Sequence, residues 1–105
     1  MDALTRDEID TALSALGNWE YQAGVLARLA RTDDPEGLGR AFDQAAGKDR
    51  DHVDAVDTPN GLVLRVRTPG TDTVTAVDVE VAARLEQVIE LGGADSVPPA
   101  PRERG

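Results

Sequence analysis

The spacing of apolar residues switches repeatedly between two periods along the chain, and this switching constrains the fold more than any other feature. Three segments place apolar residues three to four positions apart, as in a helix with one buried face. Between them lie two segments with a period of two, in which neighbouring residues fall on opposite faces, as in paired strands. The sequence therefore predicts the order helix, hairpin, helix, hairpin, helix.

The first half of the chain carries clear start and stop signals. Thr5 and Glu8 form a capping box for a helix over about residues 6–16, which Gly17 ends. A hairpin is predicted over residues 18–31, with Ala23-Gly24 at its turn. Its second strand is ambiguous, because the segment LARLAR would also suit a helix.

The second half repeats this pattern. Asp33-Asp34-Pro35 predicts a helix start, and the helix ends near Gly47. Strands are predicted over residues 53–57 and 62–68, around a turn at residues 58–61 that suits type I. The last helix begins at a second capping box and ends at Gly92-Gly93.

Two hairpins in one small domain join most simply as a single antiparallel four-stranded sheet. Three amphipathic helices would cover one face of it, which gives an α+β fold in the order α-β-β-α-β-β-α. The uncovered face is available for an oligomer contact or a ligand. We expect one domain over residues 1–92, and a disordered tail over residues 93–105, which are polar and rich in proline.

Charge and composition narrow the classes of function. The 105 residues include 20 acids and 11 bases, and the net charge of −9 disfavours nucleic acids and anionic membranes as partners. The chain has no cysteine, which excludes disulfides and a thiolate nucleophile. No apolar run is long enough to span a membrane, and the first residues lack the pattern of a signal peptide. We expect a cytoplasmic protein.

The best place for a chemical site is the stretch from Lys48 to Pro69. It holds His52, the single histidine, within the acidic run Asp49, Asp51, Asp54 and Asp57. His52 is a candidate catalytic acid or base, with Asp51 assisting. The alternative is a solvated or salt-bridged histidine among surface acids. The spacing of the acids matches no metal motif, and we expect no metal site.

Three further residues are candidate substrate ligands, and each also has a structural explanation. Asp78 could contact a substrate, but it is also the acid of the second capping box. Arg65 and Arg67 could bind an anion or lie at a subunit contact, but their alternation also fits the polar face of a strand.

Read in order, five motifs resemble the pterin-4a-carbinolamine dehydratase family from about Leu4 to Leu91. They are LTRDEI, LGNWEY, LARLAR, AGKDRDHVDAVDTPNGLVLRVRTPG and TVTAVDVEVAARLEQVI. The resemblance implies the fold described above and homodimers or homotetramers, and we expect no cofactor. It also implies an activity, which is loss of water from a 4a-hydroxytetrahydropterin.

The family carries a His-His-Pro motif and a third histidine at the end of the following strand, and this chain keeps part of that set. His52 matches the second histidine, and Asp78 matches the acid of the last helix. Asp51, Val53 and Pro69 stand in place of the first histidine, the proline and the third histidine. Two hypotheses follow. One is a dehydratase that uses His52; the other is a non-catalytic dimerising cofactor or assembly factor on the same fold, similar to RuBisCO assembly factors.

Overall fold

The computed structural model describes residues 3–71 and 73–93. Its elements are α1 (Arg6–Leu16), β1 (Glu20–Gln22), β2 (Val25–Ala30), α2 (Pro35–Ala46), β3 (Val53–Thr58), β4 (Gly61–Val66) and α3 (Ala76–Val88). A 3-10 turn over Gly47–His52 joins α2 to β3, and a π-type turn over Ile89–Gly93 follows α3. The predicted order is confirmed. Apart from Gly93, the predicted tail lies outside the described residues.

The four strands form one antiparallel sheet in the order β1-β2-β4-β3. The predicted α+β class is therefore confirmed. The ambiguous segment LARLAR contributes to β2, which is central and pairs with β1 on one side and β4 on the other. This pairing satisfies its backbone groups on both sides, which a local pattern could not foresee.

The core lies between the helices and one face of the sheet. Strand residues that point toward the helices are buried in alternation, notably Leu26, Leu64 and Val66. Trp19 and Phe42, two of the three aromatic residues of the chain, are buried in this core. Among the described helices, none is long and apolar enough to cross a membrane.

The helix starts follow the predicted capping chemistry. Thr5 Oγ1 accepts a hydrogen bond from Glu8 N at 3.2 Å, and Glu8 Oε1 accepts one from Thr5 N at 2.8 Å. Asp34 accepts a bond from Gly37 N, directly before Pro35 at the first helical position of α2. These bonds satisfy amides that the helices themselves leave unpaired.

A buried ion pair crosses the core. Arg28 points from β2 toward the helices with 4% of its surface exposed, and its Nε lies 2.7 Å from Glu86 Oε1 on α3. Trp19 Nε1 donates to the same oxygen at 2.9 Å, and Arg28 Nη1 donates to the Leu29 carbonyl. Several hydrogen bonds thus compensate the desolvation of both charges.

Gly61 begins β4 at a φ of 134°, a backbone conformation that residues other than glycine rarely adopt. A Cβ there would also clash with the carbonyl oxygen of Ala30 on β2. Gly61→Ala should therefore lower the free energy of unfolding by about 2–4 kcal/mol. Urea unfolding followed by Trp19 fluorescence measures this loss.

Gly39→Ala is the matched control for Gly61→Ala. Gly39 lies within α2, and nothing lies within 4 Å of the position its Cβ would take. The control should raise the free energy of unfolding by about 0.5–1 kcal/mol. Equal stability of the two variants would contradict the close approach of β4 to β2.

Candidate functional site

His52 is the last residue of the 3-10 turn, immediately before β3. Its carbonyl accepts a hydrogen bond from Arg67 N at 2.9 Å, one step beyond the β3–β4 ladder. The backbone of His52 is therefore held at the end of the sheet. Its side chain points toward α3.

The imidazole of His52 forms a pair with a buried carboxylate. Its Nδ1 lies 2.8 Å from Asp78 Oδ1. The side chain of Asp78 is fully buried, whereas the His52 side chain keeps 12% of its surface exposed. We refer to these two residues as the His52–Asp78 dyad.

The second oxygen of Asp78 is fully engaged. Asp78 Oδ2 accepts hydrogen bonds from Thr68 Oγ1 at 2.5 Å and from Thr75 N at 2.9 Å. Because Asp78 is the third residue of α3, the positive end of the helix dipole also favours its negative charge. Asp78 therefore serves as an acceptor toward His52.

An acceptor at Asp78 fixes which ring nitrogen of His52 carries hydrogen. Nδ1 donates to the carboxylate, so that Nε2 presents its lone pair in the neutral ring. An imidazole held this way can take a proton at Nε2 and return it. Among the described residues, no three histidine or acidic side chains come together as metal ligands.

A second ion pair holds the turn that carries His52. Arg84 on α3 donates from Nη2 to Asp49 Oδ2 at 2.8 Å, and from Nη1 to the carbonyls of Ala45 and Ala46 at 3.1 and 3.3 Å. These bonds connect α3 to the end of α2 and to the following turn. They position His52 relative to Asp78.

The remaining candidate site residues lie elsewhere. Asp51 is exposed on the turn, and the His52 side chain pairs with Asp78 instead. Arg65 and Arg67 are exposed and point away from the helices, because Leu64 and Val66 take the core side of β4. The structure thus brings His52 and Asp78 together, and it leaves Asp51, Arg65 and Arg67 outside the dyad.

Sequence reasoning named both members of the dyad but missed their contact, and it missed Thr68 and Arg84 altogether. The contact joins residues 26 positions apart, and the capping box already explained Asp78. One signal was available. The chain has a single histidine and a single acid in the first turn of its last helix, and the resemblance matched both to positions of the family.

Asp78→Asn should reverse the tautomer of His52. The Thr75 amide needs an acceptor, so the amide oxygen of the new asparagine takes the place of Oδ2 and its NH2 group faces His52 Nδ1. Nδ1 then accepts, and hydrogen moves to Nε2. Long-range ¹H–¹⁵N NMR of the ring distinguishes the two tautomers.

Asp51→Asn is the control for this measurement, and it should leave hydrogen on Nδ1. The same tautomer in the wild type and in Asp78→Asn would contradict the assignment of Asp78 as the acceptor.

The comparisons with known proteins bear on the family of the chain and not on the dyad. No family model matches the chain. A protein of Mycobacterium sp. (strain JLS) named "Putative pterin-4-alpha-carbinolamine dehydratase" is 29% identical over 94 residues, which cover 86% of this chain and 99% of the relative. Proteins of the same name from strains KMS and MCS are 28% identical with the same coverage. The resemblance seen in the motifs is confirmed: over nearly its whole length, the chain is similar to proteins that bear the name of the pterin-4a-carbinolamine dehydratase family.

Proposed function

We propose that this protein catalyses the dehydration of a 4a-hydroxytetrahydropterin. The observation that carries the proposal is the His52–Asp78 dyad, in which a buried carboxylate lies 2.8 Å from Nδ1 and leaves Nε2 able to take up a proton. The similarity to relatives that bear the name of this activity supplies the substrate class.

The reaction needs one proton removed and one proton delivered. Nε2 of His52 takes the proton from the ring nitrogen next to the carbinolamine carbon. The electron pair left on that nitrogen forms a C=N bond, and the C–O bond breaks. The protonated imidazole then gives its proton to the departing oxygen, which leaves as water. The imidazole returns to its neutral state, so that a single histidine suffices for the balance of protons.

Asp78 has two tasks in this scheme. It orients the ring of His52, and its negative charge stabilises the imidazolium that forms between the two proton transfers. Thr68 and Thr75 hold the carboxylate in place from its other oxygen. We assign no step to Arg65 or Arg67, which lie on the other side of the sheet.

A second hypothesis has its own support. The chain contains a single histidine, and Asp51 and Pro69 stand where the family has the other two. A chain that has lost those imidazoles could serve as a non-catalytic dimerising or assembly factor, and the His52–Asp78 contact would then only stabilise the start of α3.

For either function we infer a cytoplasmic location, in keeping with a composition free of cysteine.

The decisive assay generates 4a-hydroxytetrahydropterin and follows its dehydration with purified protein. We expect the wild type to accelerate the reaction above its spontaneous rate. His52→Ala should lose about 10²-fold or more of that acceleration, since it removes the proton carrier. Asp78→Asn should lose about 10- to 100-fold, since it removes the group that orients the ring.

Asp33→Asn is the control and should retain the wild-type rate, because Asp33 is exposed and lies far from the dyad in sequence. Circular dichroism establishes that each variant is folded. A folded wild type with no acceleration above the spontaneous rate would contradict the dehydratase hypothesis and favour the binding factor, for which affinity capture of partners would follow.

A further inference from the structure

The turn of the second hairpin presents an asparagine directly before a glycine. Pro59 and Asn60 form this turn and are exposed, and Gly61 follows as the first residue of β4. In the described hydrogen bonds of the turn, Asn60 takes part through its backbone nitrogen and not through its side-chain amide. That amide can therefore rotate toward the backbone nitrogen of Gly61. The other asparagine of the chain, Asn18, is also exposed but precedes Trp19.

The fold requires glycine at the position after Asn60. Gly61 has a φ of 134°, and a Cβ there would clash with the carbonyl of Ala30 and with Cα of Arg31. A glycine carries no Cβ to shield its own nitrogen, so the side-chain carbonyl carbon of the preceding residue can approach that nitrogen. Asparagine is among the chemically labile residues of proteins. The close approach of β4 to β2 thus places the neighbour that hinders attack least beside an exposed asparagine.

We propose that Asn60 is a site of spontaneous deamidation, with the nitrogen of Gly61 as nucleophile and water as the second reactant. The nitrogen bonds to Cγ of Asn60 and gives up its proton, and the bond from Cγ to Nδ2 breaks. Ammonia leaves with that proton, and a succinimide ring remains. Water then adds to one of the two ring carbonyl carbons, and the bond from that carbon to the nitrogen breaks. Opening at Cγ gives aspartate, opening at the main-chain carbonyl carbon gives isoaspartate, and no group is oxidised or reduced.

The hydroxyl of Thr58 restrains this reaction. Thr58 Oγ1 accepts a hydrogen bond from Asn60 N at 3.2 Å and donates one to the carbonyl oxygen of Gly61 at 2.9 Å. One hydroxyl therefore holds the backbone on both sides of the nitrogen that must move toward Cγ. Because a hydrogen bond has to weaken before the ring closes, we expect Thr58 to slow the reaction about 2- to 10-fold in the folded chain.

The two products affect the fold differently. Isoaspartate routes the main chain through Cγ and adds a carbon atom to the backbone of the turn, directly beside the Thr58–Gly61 pair that begins the β3–β4 ladder. Aspartate adds a charge but no backbone atom. The dyad lies at the other end of these strands, beyond the pair Val53–Val66, and the reaction at the turn does not rest on the proposed function.

Incubation of the folded full chain at mildly alkaline pH, followed by peptide mapping and mass spectrometry, tests the proposal. Asn60 should convert to a mixture of aspartate and isoaspartate, and Asn18 should stay intact. Methyl transfer by a protein-isoaspartate methyltransferase identifies the isoaspartate. Asn60→Gln should lose the product, because its longer side chain would have to close a larger ring. A chain that stays unmodified at Asn60, or that reacts equally at Asn18, would overturn the proposal.

Thr58→Val tests whether the hydroxyl restrains the reaction. The substitution keeps the branched shape and removes the hydroxyl, so deamidation should become about 2- to 10-fold faster. Thr58→Ser keeps the hydroxyl and should react like the wild type. Thr11→Val is the matched control, because it removes an exposed hydroxyl that bonds to the Asp7 carbonyl on α1. A folded Thr58→Val that reacts no faster than Thr11→Val would contradict the restraint by Thr58.

The stability of the separated products provides a second measurement. Ion exchange separates the modified chains from the wild type, because each carries one more negative charge. Urea unfolding followed by Trp19 fluorescence should show that the isoaspartyl form unfolds at a lower urea concentration than Asn60→Asp does. Equal midpoints for the two forms would contradict the effect of the added backbone atom on the Thr58–Gly61 pair.

Discussion

Among the described residues, the carboxylate of Asp78 is the buried group on which the structure and the candidate chemistry both depend. A buried charge is stable only where hydrogen bonds replace its lost hydration. Here the partners come from three separate segments: His52 before β3, Thr68 after β4, and Thr75 at the start of α3. The same bonds that keep the charge buried hold the last helix against the end of the second hairpin.

The helix that carries Asp78 organises the polar interior as a whole. Arg84 reaches the end of α2 and the turn before β3, and Glu86 reaches Arg28 on β2 and the indole of Trp19. Three inward-facing charges on one helix thus connect the second helix, the turn and the sheet. The position of His52 is set through two of them, directly through Asp78 and indirectly through Arg84. A change in how α3 packs would therefore move the imidazole.

Local patterns in the sequence predicted the elements well because their causes are local. Capping boxes, alternation and turn residues act over two to four positions, and they placed the helices, hairpins and sheet correctly. LARLAR stayed ambiguous because its strand pairing depends on β4, more than 30 residues away in sequence. For the same reason the site was only half predicted. His52 and Asp78 were both named, but neither their contact nor the roles of Thr68 and Arg84 follow from any short-range spacing.

We propose that protonation of His52 controls dehydration, and this role of the imidazole can be tested directly. NMR titration of the His52 ring and the pH dependence of the dehydration rate, recorded on the same preparation, should give the same midpoint. Agreement would identify the imidazole of the dyad as the proton carrier. A rate that changes with pH at a different midpoint, or that does not change while His52 titrates, would contradict this role of His52.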